Sequence, residues 1–313
     1  MARRSRSGVD PEVKSGLLMV SPTALVALVL LAGPLITLLA YSFMTDGYLT
    51  IIPKFQLCNY IGTCASLELK DGVYIPEKEY LGVFSDPLAR TLLLRSLFVS
   101  MAVTLVTVLL AFPVAYFVSF YVHPSKKSLW LFLITIPFWT SYLIRVFLWK
   151  VILGYNGVIN SALLYVGIID EPITALNYNV GAIVTTLAHA YAPFAILPIF
   201  VALEKIDRSL LEAGRDLGEN AFSTFLRVTL PLAVPGVVSA TLIVFIPTIG
   251  DYVTPILVGG PEGRLIANMI HLQYMKLDNY PLGSAMAVSA MLLVGAVSLL
   301  FLFLNRRWLQ VRK

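Results

Sequence analysis

The chain has 313 residues, of which 58% are hydrophobic and 13% are charged, and its formal net charge is +5. Its mean hydropathy is +0.82. A soluble protein would be about a quarter charged, so the composition excludes an ordinary soluble domain and predicts a membrane protein. Nucleic acid is not an expected partner, because the basic residues lie at the ends of apolar segments and form no separate basic domain.

Six apolar segments follow one another, and each is long enough to cross a hydrocarbon core as a helix. Helices are expected because an open strand would leave its backbone groups unpaired in lipid. The predicted spans are 17–43, 92–122, 129–153, 180–203, 234–258 and 283–304. The sequence therefore predicts an all-α polytopic membrane protein with one six-helix domain at 17–304.

The distribution of Lys and Arg predicts the orientation of these spans. With the N-terminus inside, the inside segments carry fourteen of these residues and the longer outside segments carry six. Both termini, at 1–16 and 305–313, are therefore predicted to be cytoplasmic, as is the connection 204–233. The first apolar segment is too long for a signal-peptide h-region and is predicted to stay as a span.

Two outside connections are long. The first, 45–91, carries six acidic residues and is predicted to form an exposed extracytoplasmic cap. It holds Cys58 and Cys64, which lie where a disulfide can persist, although two free thiols remain the alternative. The second connection, between the third and fourth spans, has apolar residues at helical spacing and is predicted to lie along the membrane surface.

The inside connection contains the charged stretch EAGRDLGENAFSTFLRVTLP, from Glu212 to Pro231. Ser209 followed by Glu212 fits a capping box at the start of a short helix. Gly218 is placed to end that helix with a positive φ, and Pro231 is predicted to stop a second helix before the fifth span. The apolar stripe of such a helix pair needs a cover, either lipid headgroups or a groove on a partner protein.

This stretch resembles the cytoplasmic signature of binding-protein-dependent ABC importer permeases: Glu-Ala-Ala, three residues, Gly, nine residues, Ile, one residue, Leu-Pro. The matching positions at the same spacing are Glu212-Ala213-Gly214, Gly218 and Val228-Thr229-Leu230-Pro231. Two positions differ, because Gly214 replaces the second Ala and Val228 replaces Ile. In that family, the loop forms a coupling helix that docks in a cleft of a cytoplasmic ATPase subunit.

The resemblance implies a type I ABC importer permease fold in a bacterial inner membrane. The implied ATPase-contact residues are Glu212, Ala213, Gly214, Arg215, Asp216 and Gly218, and for Glu212 a capping role is the alternative. The implied partners are two ATPase subunits, a second homologous permease, an extracytoplasmic substrate-binding protein and the lipid bilayer. ATP and Mg are expected on the ATPase, because this sequence has no GxxxxGK[ST] loop. No enzyme activity, cofactor or metal is expected for this chain.

Three further segments resemble the spermidine/putrescine branch of these permeases, in which the chain would be one half of a heterodimer. They are IPFWTSYLIRVFLWKVILGYNGVIN, AYAPFAILPIFVALEKIDRSLLEAGRDLG and FIPTIGDYVTPILVGGP. An extended cation needs carboxylates and aromatic faces along its route. Asp251, predicted inside the fifth span, is the candidate carboxylate, because a charge at membrane depth faces a cavity or a partner charge. The candidate aromatic contacts are Tyr252, Trp139 and Tyr191.

Other interpretations remain open at this point. Asp251 could pair with Arg145 of the third span as a structural bridge. Arg145 and Lys150 could instead contact an anionic or amino-acid-like solute. An ion-driven carrier would show two related halves, and the sequence has no clear repeat. A membrane-embedded enzyme would need a cluster of catalytic side chains, whereas the three histidines are widely separated.

Overall fold

A computed structural model describes residues 11–47, 50–70 and 72–309 of the chain. The helices are α1 (Pro11–Tyr41), α2 (Pro87–Phe120), α3 (Pro124–Thr135), α4 (Tyr142–Ile152), α5 (Val158–Tyr165), α6 (Val180–Glu204), α7 (Arg208–Asp216), α8 (Ala221–Thr224), α9 (Leu230–Ile249), α10 (Ile266–Met275) and α11 (Tyr280–Leu309). The strands are β1 (Thr45–Asp46), β2 (Ile51–Ile52), β3 (Thr63–Lys70) and β4 (Val73–Leu81). Residues 1–10 and 310–313 of the predicted cytoplasmic tails lie outside the described residues.

The predicted spans correspond to long apolar helices. Within the described ranges, five single helices are long and apolar enough to cross a membrane: Met19–Tyr41, Pro87–Phe120, Val180–Glu204, Ala221–Ile249 and Tyr280–Trp308. A bent pair, α3 followed by α4, supplies the sixth candidate span. The helical, polytopic fold is thereby confirmed, and the strands are confined to the connection between the first two spans.

The third predicted span, 129–153, is wrong as a single helix. The chain bends by 85° between Pro124–Trp139 and Tyr142–Ile152. Pro137 lies in a 3₁₀ turn, Ile136–Trp139, just before the bend. Proline has no N–H to continue the hydrogen-bond ladder, so a helix commonly breaks near it. The break places Tyr142 at the beginning of a separate helix.

The fifth predicted span, 234–258, also needs correction. A continuous helical stretch begins at Ala221, passes through a π-helical segment at Phe225–Thr229 and ends at Ile249. Pro231 does not stop the helix, because it lies in the first turn of α9, where a missing N–H is tolerated. Asp251 therefore lies in a break beyond the end of α9, before a second π-helical segment, Pro255–Gly259.

The core of the bundle is formed by α2, α6 and α9. Fully buried side chains in it include Val103, Ile183, Leu187 and Val244. Gly236 of α9 sits where α6 comes closest, since an added Cβ would lie 2.6 Å from the carbonyl oxygen of Pro198. Small residues allow this approach between membrane helices, whose association depends on close packing.

The connection between the first two spans folds into a small cap of two antiparallel hairpins, β1–β2 and β3–β4. Cys58 and Cys64 are joined by a disulfide with a Cα–Cα distance of 5.3 Å. The buried Asn59 amide donates to the carbonyl oxygens of Ser42 (3.0 Å) and Met44 (2.8 Å), just after α1. These bonds fix the cap on the bundle.

The cap and the charged stretch lie at opposite ends of α2, which begins shortly after β4 and ends near α7. We call these the cap end (residues 45–81) and the motif end (residues 208–231). A helix of 34 residues is about 50 Å long at 1.5 Å per residue. The two ends are therefore separated by more than the thickness of a hydrocarbon core, about 30 Å.

Candidate functional site

The helix at the motif end begins two residues earlier than the sequence predicts. α7 begins at Arg208, so Ser209 is inside the helix and the predicted capping box is wrong. Instead, the Oδ1 of Asp207 accepts a hydrogen bond from the Ser209 N–H at 3.0 Å. That bond holds the pKa of the Asp207 carboxyl below its usual range. Aspartate is as good an N-cap as serine, and Asp207 directly precedes the first residue of α7.

The end of α7 follows the prediction. Gly218 has a φ of +81°, a conformation that glycine adopts without the steric cost other residues meet. The N–H of Leu217 donates to Ala213 at 3.1 Å, and that of Glu219 donates to Gly214 at 3.1 Å. These bonds satisfy carbonyl groups at the helix end. The chain therefore turns sharply at Gly218 before α8 begins.

Most of the predicted ATPase-contact positions are on the surface. The exposed positions are Glu212, Ala213, Asp216 and Gly218. Gly214 is half-buried, and the side chain of Arg215 lies outside the described part. Beside them, Leu217 and Phe222 are 85% and 70% exposed. The motif end therefore presents an uncovered apolar surface with a charged edge.

A polar network connects α7 to the bundle. Lys127 Nζ lies 2.6 Å from one carboxylate oxygen of Glu204 and 2.8 Å from the other. The hydroxyl of Ser119 donates to the same carboxylate at 3.1 Å, and Arg208 donates to the Ser119 carbonyl at 3.0 Å. Four helices, α2, α3, α6 and α7, thus meet in one network.

A second group of polar contacts lies within the bundle, around Asp251, which is 9% exposed. Its Oδ2 accepts from the Tyr142 hydroxyl at 2.7 Å, and its Oδ1 accepts from the backbone N–H groups of Val253 (3.0 Å) and Thr254 (3.4 Å). The Tyr142 oxygen also lies 2.7 Å from Thr254 Oγ1. Because the tyrosine hydroxyl has one hydrogen, which faces Asp251, the threonine hydroxyl must be the donor in that contact.

Arg145 does not pair with Asp251 in this structure, which contradicts the proposed structural bridge. Among the described residues, no cation lies within 4.0 Å of the Asp251 carboxylate. The Arg145 guanidinium donates through NH1 to the Ala190 carbonyl at 3.3 Å, and its buried Nε has no partner in the described part. The α3–α4 bend places Tyr142, and not Arg145, against the carboxylate.

The predicted aromatic residues are not all brought to this site. Tyr191 lies within electrostatic range of Asp251 and Arg145, and its ring packs beside Phe194, with ring centroids 6.3 Å apart. The ring of Tyr252 stacks on His271 at 4.6 Å and lines a different, apolar cavity between α9, α10 and α11. Trp139 is 75% exposed.

Tyr142 and Thr254 are the functional candidates that sequence reasoning missed. Tyr142 lies 109 positions from Asp251 in sequence, and no local pattern connects residues that far apart. The sequence around Asp251 does contain part of the information needed to predict this contact. Gly250 and Asp251 precede Pro255, which is typical of a helix end followed by a new helix start. That pattern would have predicted the break at Asp251, but not the tyrosine that fills it.

An apolar multi-span bundle with an exposed helical loop at one end and an interior polar site is typical of membrane transport proteins. The model of the family "Binding-protein-dependent transport system inner membrane component" matches residues 80–310. The chain belongs to this family. It is accordingly a multi-pass inner-membrane protein with a transport role.

Permease proteins from two bacteria are similar over most of the chain. The "Spermidine/putrescine transport system permease protein PotB" of Haemophilus influenzae is 37% identical over 229 residues, 73% of this chain and 79% of the relative. The protein of the same name from Escherichia coli K12 is 35% identical over 216 residues, 69% of this chain and 78% of the relative. The E. coli "Inner membrane ABC transporter permease protein YdcU" is 29% identical, and the match covers 84% of this chain and 80% of the relative.

Solved structures share the fold at low sequence identity. A bacterial ABC transporter involved in the import of the acidic polysaccharide alginate superposes with a TM-score of 0.63 at 16% identity, covering 96% of this chain and 98% of that chain. The alginate transporter in complex with its alginate pentasaccharide-bound periplasmic protein superposes with a TM-score of 0.58 at 17% identity, covering 73% of this chain and 82% of that chain. The fold is that of type I ABC importer permeases.

Proposed function

We propose that this chain is the membrane-spanning permease subunit of an ATP-driven importer for a polyamine, such as spermidine or putrescine. The observation that carries the proposal is the 37% identity to a spermidine/putrescine permease over 73% of the chain. The chain would wall one half of the pathway, and a second, homologous permease would wall the other. A substrate-binding protein would deliver the solute at the cap end, which the distribution of basic residues places outside.

The geometry around Asp251 supports a cationic solute. The carboxylate is oriented by neutral donors, Tyr142 and two backbone N–H groups. Such neutral donors orient the carboxylate without pairing it with a positive charge. Because no described cation lies within 4.0 Å, the charge is left for a passing ammonium group. A carboxylate at membrane depth is costly, which argues for a functional role.

A specific observation favours a second candidate, an anionic solute. Arg145 keeps a buried Nε without a partner among the described residues, and an unsatisfied guanidinium is a binding group for carboxylates. The solved structure with the same fold imports an acidic polysaccharide, so the fold does not decide the sign of the solute. The identity to polyamine permeases favours the cation.

The motif end supports coupling to a separate ATPase. The exposed apolar residues Leu217 and Phe222 would fill a groove on one of the two ATPase subunits, and these subunits would carry ATP and Mg. Glu212, Arg215 and Asp216 would form the edge of that contact, and the Ser119–Lys127–Glu204–Arg208 network would carry its motion to the spans. Transport and ATP hydrolysis then reside on different polypeptides.

The sign of the solute is tested by two matched substitutions in the assembled transporter, with both permeases, the ATPase and the binding protein in proteoliposomes. Asp251→Asn should reduce uptake of labelled spermidine about 10- to 100-fold, because the free energy of a hydrogen bond to a charged group corresponds to a factor of about that size. Arg145→Gln should reduce it far less. Asp170→Asn, an exposed carboxylate on the α5–α6 connection, is the control. Uptake of an acidic oligosaccharide that depends on Arg145 would favour the anionic candidate.

Coupling is tested at the two glycines of the signature. Gly218→Trp forces a bulky residue into a φ of +81°, so α7 should lose its ending and spermidine uptake should fall at least about tenfold while the protein stays in the membrane. Gly214→Ala is the matched control, because its Cβ would lie 3.4 Å from the nearest atom of Thr224, an ordinary contact. Normal uptake with Gly218→Trp would exclude this turn from coupling.

A further inference from the structure

A cavity of about 430 Å³ lies at the cap end, between the cap and the turn that joins α10 to α11. Its wall includes three carboxylates, Asp46 from β1, Glu77 from β4 and Asp278 from the turn. The volume is in the range of small-molecule sites in proteins. The residues come from chain segments more than 190 positions apart, so the tertiary fold assembles this acidic pocket.

Asp46 indicates that the pocket is a binding site. It is only 6% exposed, and its Oδ1 has no hydrogen-bond partner in the described part of the chain. A buried carboxylate oxygen without a partner is costly. The deeply buried residues around it, such as Asn59 and Thr45, have hydrogen bonds, so the missing partner is specific to this side chain. A donor supplied by a ligand would satisfy it.

The charges and their spacing define the chemistry of that ligand. Lys78 and Lys276 also line the pocket, but neither lies within 4.0 Å of a carboxylate among the described residues. The three carboxylates and two lysines leave a net charge of −1. No three His, Cys, Asp or Glu side chains in the described part are grouped so that they could hold a metal ion. Separated carboxylates suit separated ammonium groups better than one compact cation.

We propose that this pocket, walled by Asp46, Glu77 and Asp278, is an outer binding site for the ammonium groups of an extended organic cation. The choice of ligand rests on the function proposed above, whereas the site itself rests on the unpartnered carboxylate. The cation would bind at the cap end after its release by the binding protein and before it reaches Asp251. The site holds the solute at the mouth of the pathway.

The pH response of the site follows from its surroundings. Burial, followed by the nearby charges of Glu77 and Asp278, raises the pKa of Asp46 to about 6. The charged and titratable groups that face Asp46 are Glu77, Lys78 and Tyr80 on β4, and Lys276 and Asp278 on the turn. A bound cation stabilises the ionised form of Asp46, so affinity should fall as the pH drops below about 6.

The test measures equilibrium binding of labelled spermidine and putrescine to the assembled transporter in nanodiscs, without the binding protein. An Asp251→Asn background removes the inner carboxylate, so any remaining saturable binding reports the outer pocket. In that background, Asp46→Asn and Glu77→Gln should each weaken binding about tenfold. Glu79→Gln removes an exposed carboxylate from the same strand, outside the pocket, and should change nothing.

The pH dependence of binding is an independent test. Binding at pH 5.5 should be weaker than at pH 7.5, and Asp46→Asn should abolish this difference. Equal binding by Asp46→Asn, Glu77→Gln and Glu79→Gln, or no saturable binding in the Asp251→Asn background, overturns the proposal. If Asp46→Asn fails to assemble, Glu77→Gln decides. Uptake by the intact transporter is a separate readout: normal spermidine uptake without pocket binding removes only the outer site, whereas pocket binding without spermidine uptake removes only the proposed function.

Discussion

Asp251 and Asp46 are buried to nearly the same degree, 9% and 6% exposed, yet their surroundings differ. Asp251 lies within the bundle and accepts from a tyrosine hydroxyl and two backbone N–H groups. Asp46 lies in the cap and has an oxygen with no partner among the described residues. Burial alone therefore does not distinguish the roles of the two carboxylates. The set of donors does, because three donors fix the position of the Asp251 carboxylate, whereas Asp46 has an oxygen that still needs a donor.

The largest contrast is expected from removing each carboxylate completely. Asp251→Ala leaves three donors without an acceptor, so it should destabilise the protein by about 3 kcal/mol or more. Asp46→Ala removes a group that has an unpartnered oxygen, so at pH 7.5 it should leave stability unchanged or raise it. The measurement is the midpoint of thermal unfolding in one detergent. Equal losses for both variants would show that the hydrogen-bond partners do not separate the two sites.

A smaller effect is expected when only the orientation of Asp251 is disturbed. Tyr142→Phe removes the hydroxyl that donates to Oδ2 and should reduce spermidine uptake several-fold, because both backbone donors remain. In a double-mutant cycle, Tyr142→Phe should add little to Asp251→Asn, since the tyrosine acts through the carboxylate. Tyr165→Phe is the matched control, as it removes a phenol hydroxyl from an exposed residue of α5. Fully additive effects would mean that Tyr142 acts independently of Asp251.

The smallest effect is the pH dependence of stability contributed by Asp46. The pKa of its carboxyl is raised from 3.8 to about 6 in the folded protein, so the folded state binds more protons than the unfolded state between these values. Stability from this residue should be present below pH 3.8 and be lost as the pH rises through about 6. Unfolding midpoints of wild type and Asp46→Asn at pH 7.5, 6 and 5 should therefore diverge at higher pH, with the variant more stable. Parallel curves would contradict the shifted pKa.

The features that could be predicted from the sequence are those set by interactions within one segment of the chain. The fourth span, predicted at 180–203, is helix Val180–Glu204, because its length and apolarity are set by the lipid it must cross. Gly218 was predicted to end a helix and has the positive φ required. The signature from Glu212 to Pro231 predicted the family, because the spacing of its residues is a property of the sequence itself and needs no tertiary contact.

Only the tertiary structure decided the contacts between distant segments. The sequence predicted Asp251 as a carboxylate at membrane depth and left Arg145 open as its structural partner, whereas the fold supplies Tyr142 from the bent third span. The unpartnered oxygen of Asp46 depends on the packing of β1 against β4 and the α10–α11 turn. Amino-acid type and spacing determine which segments cross the membrane and where helices end, since those are properties of each segment. Whether a buried charge finds a donor beyond its own segment depends on the packing of other segments against it, and this is decided only when the whole chain folds.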